Sequence, residues 1–123
     1  MRALVVDDSR AARSLIGRML RELGFDVVDA AQGVEAMEHL VSGTPFDLAV
    51  VDWNMPTMNG LDFVRTARAD ARFQEVPIVM CTSETEIQQM IRALEAGANE
   101  YIMKPFTAEI LRGKLELIGL SLV

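Results

Sequence analysis

Cysteine is almost absent from this sequence: Cys81 is the only one among 123 residues. A single cysteine excludes an intrachain disulfide, and nothing else in the chain indicates an oxidising compartment. Cys81 ends the apolar run IVMC (78–81). Because free cysteine is among the most buried residue types, we expect a thiol packed in the core rather than a nucleophile.

Long apolar runs and basic clusters are also missing. No stretch approaches the ~20 apolar residues of a membrane helix, and the run at the N-terminus is too short for a signal peptide. The net charge is −6, from 12 basic and 18 acidic residues, and no run of Lys or Arg occurs. That balance disfavours a surface for nucleic acid. We expect a cytoplasmic protein that contacts neither membrane nor nucleic acid directly.

The chain nevertheless has the material for a core. Its length is typical of one domain, and half of its residues are hydrophobic. We find no linker, repeat or low-complexity segment, so the sequence predicts one domain over residues 1–123.

Hydrophobic spacing alternates between strand and helix five times. The pattern predicts strands at 3–6, 25–30, 47–52, 76–82 and 100–103, and helices at 10–23, 34–41, 60–69, 86–95 and 108–118. Ser9 and Thr107 are the predicted N-caps of the first and last helices. Alternating units of this length form a parallel sheet covered by helices on both faces, and five units are too few for an eight-stranded barrel. The sequence therefore predicts an open, doubly wound α/β sheet.

Ligands of such sheets bind at the carboxyl ends of the strands. Asp7 and Asp8 follow the first predicted strand, and Asp52 ends the third. Thr82 ends the fourth, and Lys104 follows the fifth. The chain has ten Arg but only two Lys, so a lysine at this edge is informative.

This set of residues has a coherent chemistry. Three crowded carboxylates repel one another unless a cation joins them, and oxygen ligands suit Mg²⁺. A carboxylate beside a metal can attack a phosphoryl group and form an acyl phosphate. Lys104 and the Thr82 hydroxyl could then stabilise the phosphoryl oxygens.

Four segments carry a family resemblance: VVDDS (5–9), VVDWNMPTMNG (50–60), VMCTSE (79–84) and YIMKPF (101–106). In content, order and spacing they resemble the receiver domain of two-component response regulators, in particular the single-domain CheY-like group. The resemblance covers the whole chain and implies a flavodoxin-like sheet with strand order 2-1-3-4-5.

The resemblance also implies a role for each matching residue. Asp52 would be the phosphoacceptor, and Mg²⁺, with Mn²⁺ as a substitute, would be held by Asp7, Asp8, Asp52 and the backbone carbonyl of Asn54. Thr82 would move toward the phosphoryl group, and Tyr101 would change rotamer with it. Lys104 would pair with the phosphoryl oxygens, and the peptide bond between Lys104 and Pro105 would be cis. Asn54 and Glu84 would tune the lifetime of the phosphoryl group.

The implied partners are a histidine kinase as phosphodonor, a downstream protein target and a phosphatase. The target would bind the face of helix 4, strand 5 and helix 5, and the chain itself would be a signalling protein rather than an enzyme. The segment from Asp52 to Pro56 favours a chemotaxis-type system. The start of helix 4, from Thr85 to Gln89, has no basic side chain, so the sequence leaves open whether the target is a flagellar switch.

Other interpretations remain. The chain could be a receiver from a larger regulator or hybrid kinase, or a binding module that works without phosphorylation. A phosphatase of the haloacid dehalogenase type needs a second Asp two residues after the nucleophile, where this chain has Asn54. A flavin carrier on the same fold would place a phosphate beside Asp7 and Asp8, which would repel it.

Overall fold

The computed structural model describes residues 1–43, 45–55, 57–83 and 87–122, apart from the side chain of Ile87. Strands and helices alternate along the chain as the sequence predicts. The strands are β1 (Arg2–Val6), β2 (Asp26–Ala30), β3 (Leu48–Asp52), β4 (Ile78–Thr82) and β5 (Glu100–Met103). The helices are α1 (Arg10–Glu22), α2 (Gly33–Val41), α3 (Gly60–Ala69), α4 (Ile87–Ala96) and α5 (Ala108–Leu117).

The five strands form one parallel sheet in the order β2-β1-β3-β4-β5. The predicted doubly wound architecture and its strand order are therefore confirmed. The order reverses between β1 and β3, and in such sheets the reversal opens a crevice at the carboxyl edge.

Successive side chains of a strand point to opposite faces of the sheet, so each strand supplies two cores. The α1–α5 core packs those helices through Ile16, Leu20, Leu111 and Leu115 against Ala3, Val5, Val50, Cys81 and Ile102. The α2–α4 core packs the other helices through Ala36, Leu40, Phe63, Val64 and Ala93 against Leu4, Val6, Val51 and Met80. Because both faces are covered, the inner strands β3 and β4 are buried at every position.

The predicted N-caps are present. The Ser9 side chain accepts a hydrogen bond from the backbone N–H of Ala12, and Thr107 accepts one from Ile110, both at 3.2 Å. Each satisfies one of the backbone donors that a helix start leaves unpaired.

Several local predictions need correction. Phe25 precedes β2 instead of belonging to it, because its N–H closes the end of α1 on the carbonyl of Leu20 at 3.0 Å. β4 begins at Ile78, two residues after the predicted start of the fourth strand. A 3₁₀ turn, Ala71–Phe73, also lies between α3 and β4, where no element was predicted. Its formation buries Phe73, a single apolar residue without the periodic neighbours that would reveal it. The predicted start of α4 at Glu86 lies outside the described residues.

No helix in the described part of the chain is long and apolar enough to cross a lipid bilayer.

Cys81 lies on β4 in the α1–α5 core and is 1% exposed, as predicted from the sequence. Burial in apolar surroundings raises the pKa of its thiol to about 12, since the thiolate would be formed without water. The thiolate is the reactive form, so Cys81 is a packing residue.

We predict that native protein at pH 8 reacts with a disulfide-exchange reagent such as Ellman's reagent at least ~100-fold more slowly than protein in guanidinium chloride. With a pKa of about 12, only on the order of 1 in 10⁴ thiols is ionised at pH 8. The denatured chain should release one equivalent of chromophore, because the sequence has one cysteine. Equal rates in the native and unfolded states would contradict this burial.

Gly60 begins α3 at a point of close approach. A Cβ at this position would clash with the carbonyl oxygen of Asp52, and backbone cannot move aside as a flexible side chain can. The N–H of Gly60 also donates to the carbonyl of Trp53 at 3.0 Å. The absence of a side chain therefore lets α3 start directly against the end of β3.

We predict that Gly60→Ala lowers the free energy of unfolding by about 1–3 kcal/mol, because a methyl group is forced against backbone. Urea denaturation of the two proteins measures the difference.

Gly113→Ala is the matched control. Gly113 lies inside α5, and a Cβ there meets nothing within 4 Å. The control should be stabilised by about 1 kcal/mol or less through helix propensity. Equal stability of Gly60→Ala and the parent would show that the contact is relieved at no cost.

Candidate functional site

The carboxyl edge of the sheet carries the charged and polar residues that the sequence predicts there. Asp7 follows β1, Asp52 ends β3, Thr82 ends β4 and Lys104 follows β5. Asp7, Thr82 and Asp52 are only 1%, 2% and 8% exposed, and they are the buried polar residues among those the structure describes. Burial of a polar group costs free energy unless the group has a hydrogen-bond or ion-pair partner, so these three residues need such partners.

Lys104 pairs with two of the carboxylates. Its Nζ donates to Asp7 Oδ2 at 2.6 Å and to Asp52 Oδ1 at 3.0 Å. The other oxygen of Asp7 accepts from the backbone N–H of Ser9 at 2.8 Å. Asp7 thus makes the local turn contact that is usual for an isolated Asp and also faces the lysine.

Asp8 completes an acidic triad. One carboxylate oxygen from each of Asp7, Asp8 and Asp52 lies within 4.8 Å of the other two. Asp8 itself is exposed, so the triad opens to solvent on that side. The triad carries three carboxylates, and the Lys104 ammonium group pairs with two of them, so an excess of negative charge remains. An oxygen donor set with this charge fits Mg²⁺, which keeps part of its hydration shell in proteins.

The pKa of Asp52 is raised. Burial is the largest cause, because it disfavours the ionised form, and the nearby charge of Asp7 adds to it, while the hydrogen bond from Lys104 acts in the opposite direction. For Lys104, burial alone would lower the pKa, but hydrogen bonds to Asp7 and Asp52 outweigh burial and raise it. Lys104 is therefore protonated at neutral pH, and any further positive charge at the site would stabilise the ionised form of Asp52.

Strand alternation places Thr82 apart from the acids. Three charged residues lie two positions after a side chain of the α1–α5 core: Asp7 after Val5, Asp52 after Val50 and Lys104 after Ile102. Thr82 lies two positions after Met80, which belongs to the α2–α4 core. Its hydroxyl donates to Oε1 of Gln89 on α4 at 3.1 Å. The site thus has an acidic half under α1 and α5 and a hydroxyl on the side of α4.

The remaining predicted residues are more dispersed. Tyr101 is half-buried on β5 and packs against the α2–α4 core, with Lys114 Nζ 4.5 Å from the centre of its ring. Asn54 is exposed in the loop after β3, and Glu84 lies outside the described residues. The peptide bond between Lys104 and Pro105 is cis, as the resemblance implied.

Two contacts at the site escaped the sequence analysis. Arg13 donates to the backbone carbonyl of Asp7 at 2.8 Å and to Asp29 at 3.2 Å, which fixes α1 against the ends of β1 and β2. Gln89 receives the Thr82 hydroxyl. Both look like ordinary surface residues of amphipathic helices, and their roles depend on how the helices dock.

We predict that Lys104→Met lowers the free energy of unfolding by about 1–3 kcal/mol in metal-free buffer, since two buried carboxylates lose their hydrogen-bonded cation. Addition of Mg²⁺ should restore more stability to the variant than to the parent, because a cation at the triad replaces the missing charge. Thermal melts with and without Mg²⁺ measure both effects.

The other lysine provides the control. The Lys114 side chain is 26% exposed against 25% for Lys104, but it pairs with one carboxylate, that of Glu100, at 3.4 Å. Lys114→Met should cost about 1 kcal/mol or less and respond to Mg²⁺ as the parent does. A larger loss in Lys114→Met than in Lys104→Met would contradict the central role of Lys104.

Comparisons with known proteins agree with this geometry. The family model for the response regulator receiver domain matches residues 3–116. The chemotaxis protein CheY1 of Helicobacter pylori is 49% identical over 119 residues, which are 96% of this chain and 96% of that protein. The chemotaxis protein CheY of Pseudomonas aeruginosa is 45% identical over 119 residues, 96% of this chain and 95% of the relative.

The fold agrees as well. The structure of the chemotaxis protein CheY4 of Vibrio cholerae superposes with a TM-score of 0.89 at 33% identity, over 95% of this chain and 97% of that one. Sequence and structure lead to the same conclusion: the chain belongs to the response regulator receiver domain family and is homologous to the CheY chemotaxis regulators.

Proposed function

We propose that this protein is a phosphorylation-controlled switch of a chemotaxis-type two-component system, and that Asp52 is its phosphoacceptor. The observation that carries the proposal is the position of the Asp52 carboxylate, 3.0 Å from the Lys104 ammonium and within 4.8 Å of Asp7 and Asp8. A receiver of this family implies a histidine kinase as phosphodonor and a downstream protein target.

In the proposed reaction, a carboxylate oxygen of Asp52 attacks the phosphorus of a phosphohistidine. The new O–P bond makes Asp52 an acyl phosphate, the P–N bond breaks, and the imidazole leaves. Lys104 keeps one positive charge beside the phosphoryl oxygens, and the Thr82 hydroxyl donates to one of them. Mg²⁺, held by Asp7, Asp8, Asp52 and the backbone carbonyl of Asn54, would neutralise charge on both reacting groups.

The signal would leave through α4, β5 and α5. Thr82 and Tyr101 both lie on the α4 side of the sheet, so a shift of the hydroxyl toward Asp52 opens space that the ring can enter. A depression of about 380 Å³ is lined by Tyr101, Met103, Ile110 and Lys114, among others. Met103 is 40% and Ile110 51% exposed, and exposed apolar side chains around a depression suit a protein partner.

We also propose where the protein acts, how it is reset and what chemistry it performs. The chain over 1–123 acts as one cytoplasmic receiver domain, without direct contact to nucleic acid or membrane, and a phosphatase resets it. Its chemistry is limited to phosphoryl transfer onto Asp52 and hydrolysis of that acyl phosphate, whose lifetime Asn54 and Glu84 tune. No separate substrate is turned over, so the protein is not an enzyme in the usual sense.

We predict that incubation with acetyl phosphate and Mg²⁺ adds one phosphoryl group to the parent, detected as an increase of about 80 Da in intact mass. The adduct should be absent from Asp52→Asn, which lacks the nucleophile. Removal of Mg²⁺ by EDTA should reduce the initial rate at least ~10-fold, because the positive charge of the ion is lost from the site. Asp8→Asn should have the same effect, because it removes one of the carboxylates proposed to hold the ion.

Asp62→Asn is the matched control, because Asp62 is an exposed carboxylate in the first turn of α3. It should be phosphorylated as fast as the parent. An adduct that persists in Asp52→Asn would identify another acceptor. A parent without any adduct, including with a histidine kinase and ATP, would identify a binding module that works without phosphorylation.

A further inference from the structure

We infer that Gln89 is a positioning residue that holds the Thr82 hydroxyl on the α4 side of the sheet while Asp52 is unphosphorylated. The inference rests on the proposed function and adds a specific element to it. The contact between the two side chains is direct: Thr82 Oγ1 donates to Gln89 Oε1 at 3.1 Å, between the last residue of β4 and the third residue of α4.

The geometry of both elements produces this contact. Thr82 follows the alternation of β4 and faces the α2–α4 core, away from the face that carries Asp52 and Lys104. Side chains in the first turn of a helix lean toward its N-terminus. Gln89 is long enough to reach back from α4 to the end of β4, and it is half-buried there. Its neighbour Gln88 is exposed to solvent.

A hydroxyl has one hydrogen and donates it to one acceptor at a time. When the hydroxyl turns toward a phosphoryl oxygen on Asp52, its bond to Gln89 must break. The Gln89 bond therefore opposes phosphorylation by the free energy of one neutral hydrogen bond. In the reverse direction, phosphorylation releases the Gln89 side chain, and the first turn of α4 loses a tie to the sheet.

The first test compares two leucine variants. Gln89→Leu removes the acceptor, and Gln88→Leu makes the same change at the exposed neighbouring position. With subsaturating acetyl phosphate and Mg²⁺, Gln89→Leu should gain phosphoryl group about two- to tenfold faster than Gln88→Leu, which corresponds to one neutral hydrogen bond. Initial rates are measured by intact mass, and circular dichroism melts verify that both variants are folded.

The second test reverses the direction of the effect. Gln89→Glu keeps the side-chain length and turns the acceptor into a carboxylate, which binds a hydroxyl more strongly. Gln88→Glu adds the same charge one residue away. Gln89→Glu should be phosphorylated about two- to tenfold more slowly than Gln88→Glu. Loss of packing at position 89 would not change the rate in opposite directions for Leu and Glu.

The third test uses Thr82→Val, which removes the hydroxyl and keeps the shape of the buried side chain. If Gln89 acts through Thr82, the rate gain of Gln89→Leu disappears in the Thr82→Val background. The pair of changes forms a double-mutant cycle, whose coupling is the interaction between the two side chains.

The outcomes distinguish failure of the role of Gln89 from failure of the proposed function. Equal rates for Gln89→Leu and Gln88→Leu, or a gain that persists in Thr82→Val, would overturn the role of Gln89 while the parent is still phosphorylated. Absence of phosphorylation in the parent and both Gln88 variants would instead overturn the proposed function. If Gln89→Leu melts well below its control, the two glutamate variants decide the question, because Glu has nearly the shape of Gln.

Discussion

The ammonium group of Lys104 lies between two buried carboxylates, and the carboxyl edge of the sheet depends on that contact. Asp7 follows β1 and Asp52 ends the neighbouring strand β3, so parallel pairing alone brings their charges together. Burial removes the water that would screen them, and each carboxylate then needs a partner. Lys104 supplies one cation for two acids, at 2.6 and 3.0 Å. The remaining negative charge is what makes the edge receptive to a divalent cation.

Strand alternation then places different functional groups on the two faces of the sheet. The acids and the lysine lie on the side of α1 and α5, whereas Thr82 and Tyr101 lie on the side of α4. The charged groups therefore lie on one side of the sheet, and the two residues proposed to change position lie on the other. Where β3 ends, α3 starts in close contact with the backbone of Asp52. The two side-chain directions of each strand thus separate the proposed phosphorylation chemistry from the proposed conformational response.

The sequence predicted the architecture because its local signals agree. Short β-branched runs alternate with helical spacing, and strand ends in a parallel sheet must meet, so Asp7, Asp52 and Lys104 could be placed together in advance. The strand order came from the family resemblance, since periodicity does not determine which strands are neighbours. Gln89 was not predictable, because its contact depends on the docking angle of α4. The same holds for Arg13, whose hydrogen bonds depend on where α1 lies over β1 and β2.

The ion pairs of Lys104 join residues that are far apart in the sequence. Asp7 and Lys104 are 97 residues apart, and Asp52 lies between them. During translation the carboxylates of β1 and β3 leave the ribosome well before the lysine that separates their charges. Until then, pairing of β1 with β3 brings like charges together in a nascent sheet. A divalent cation held by these carboxylates would offset their repulsion before Lys104 is in place.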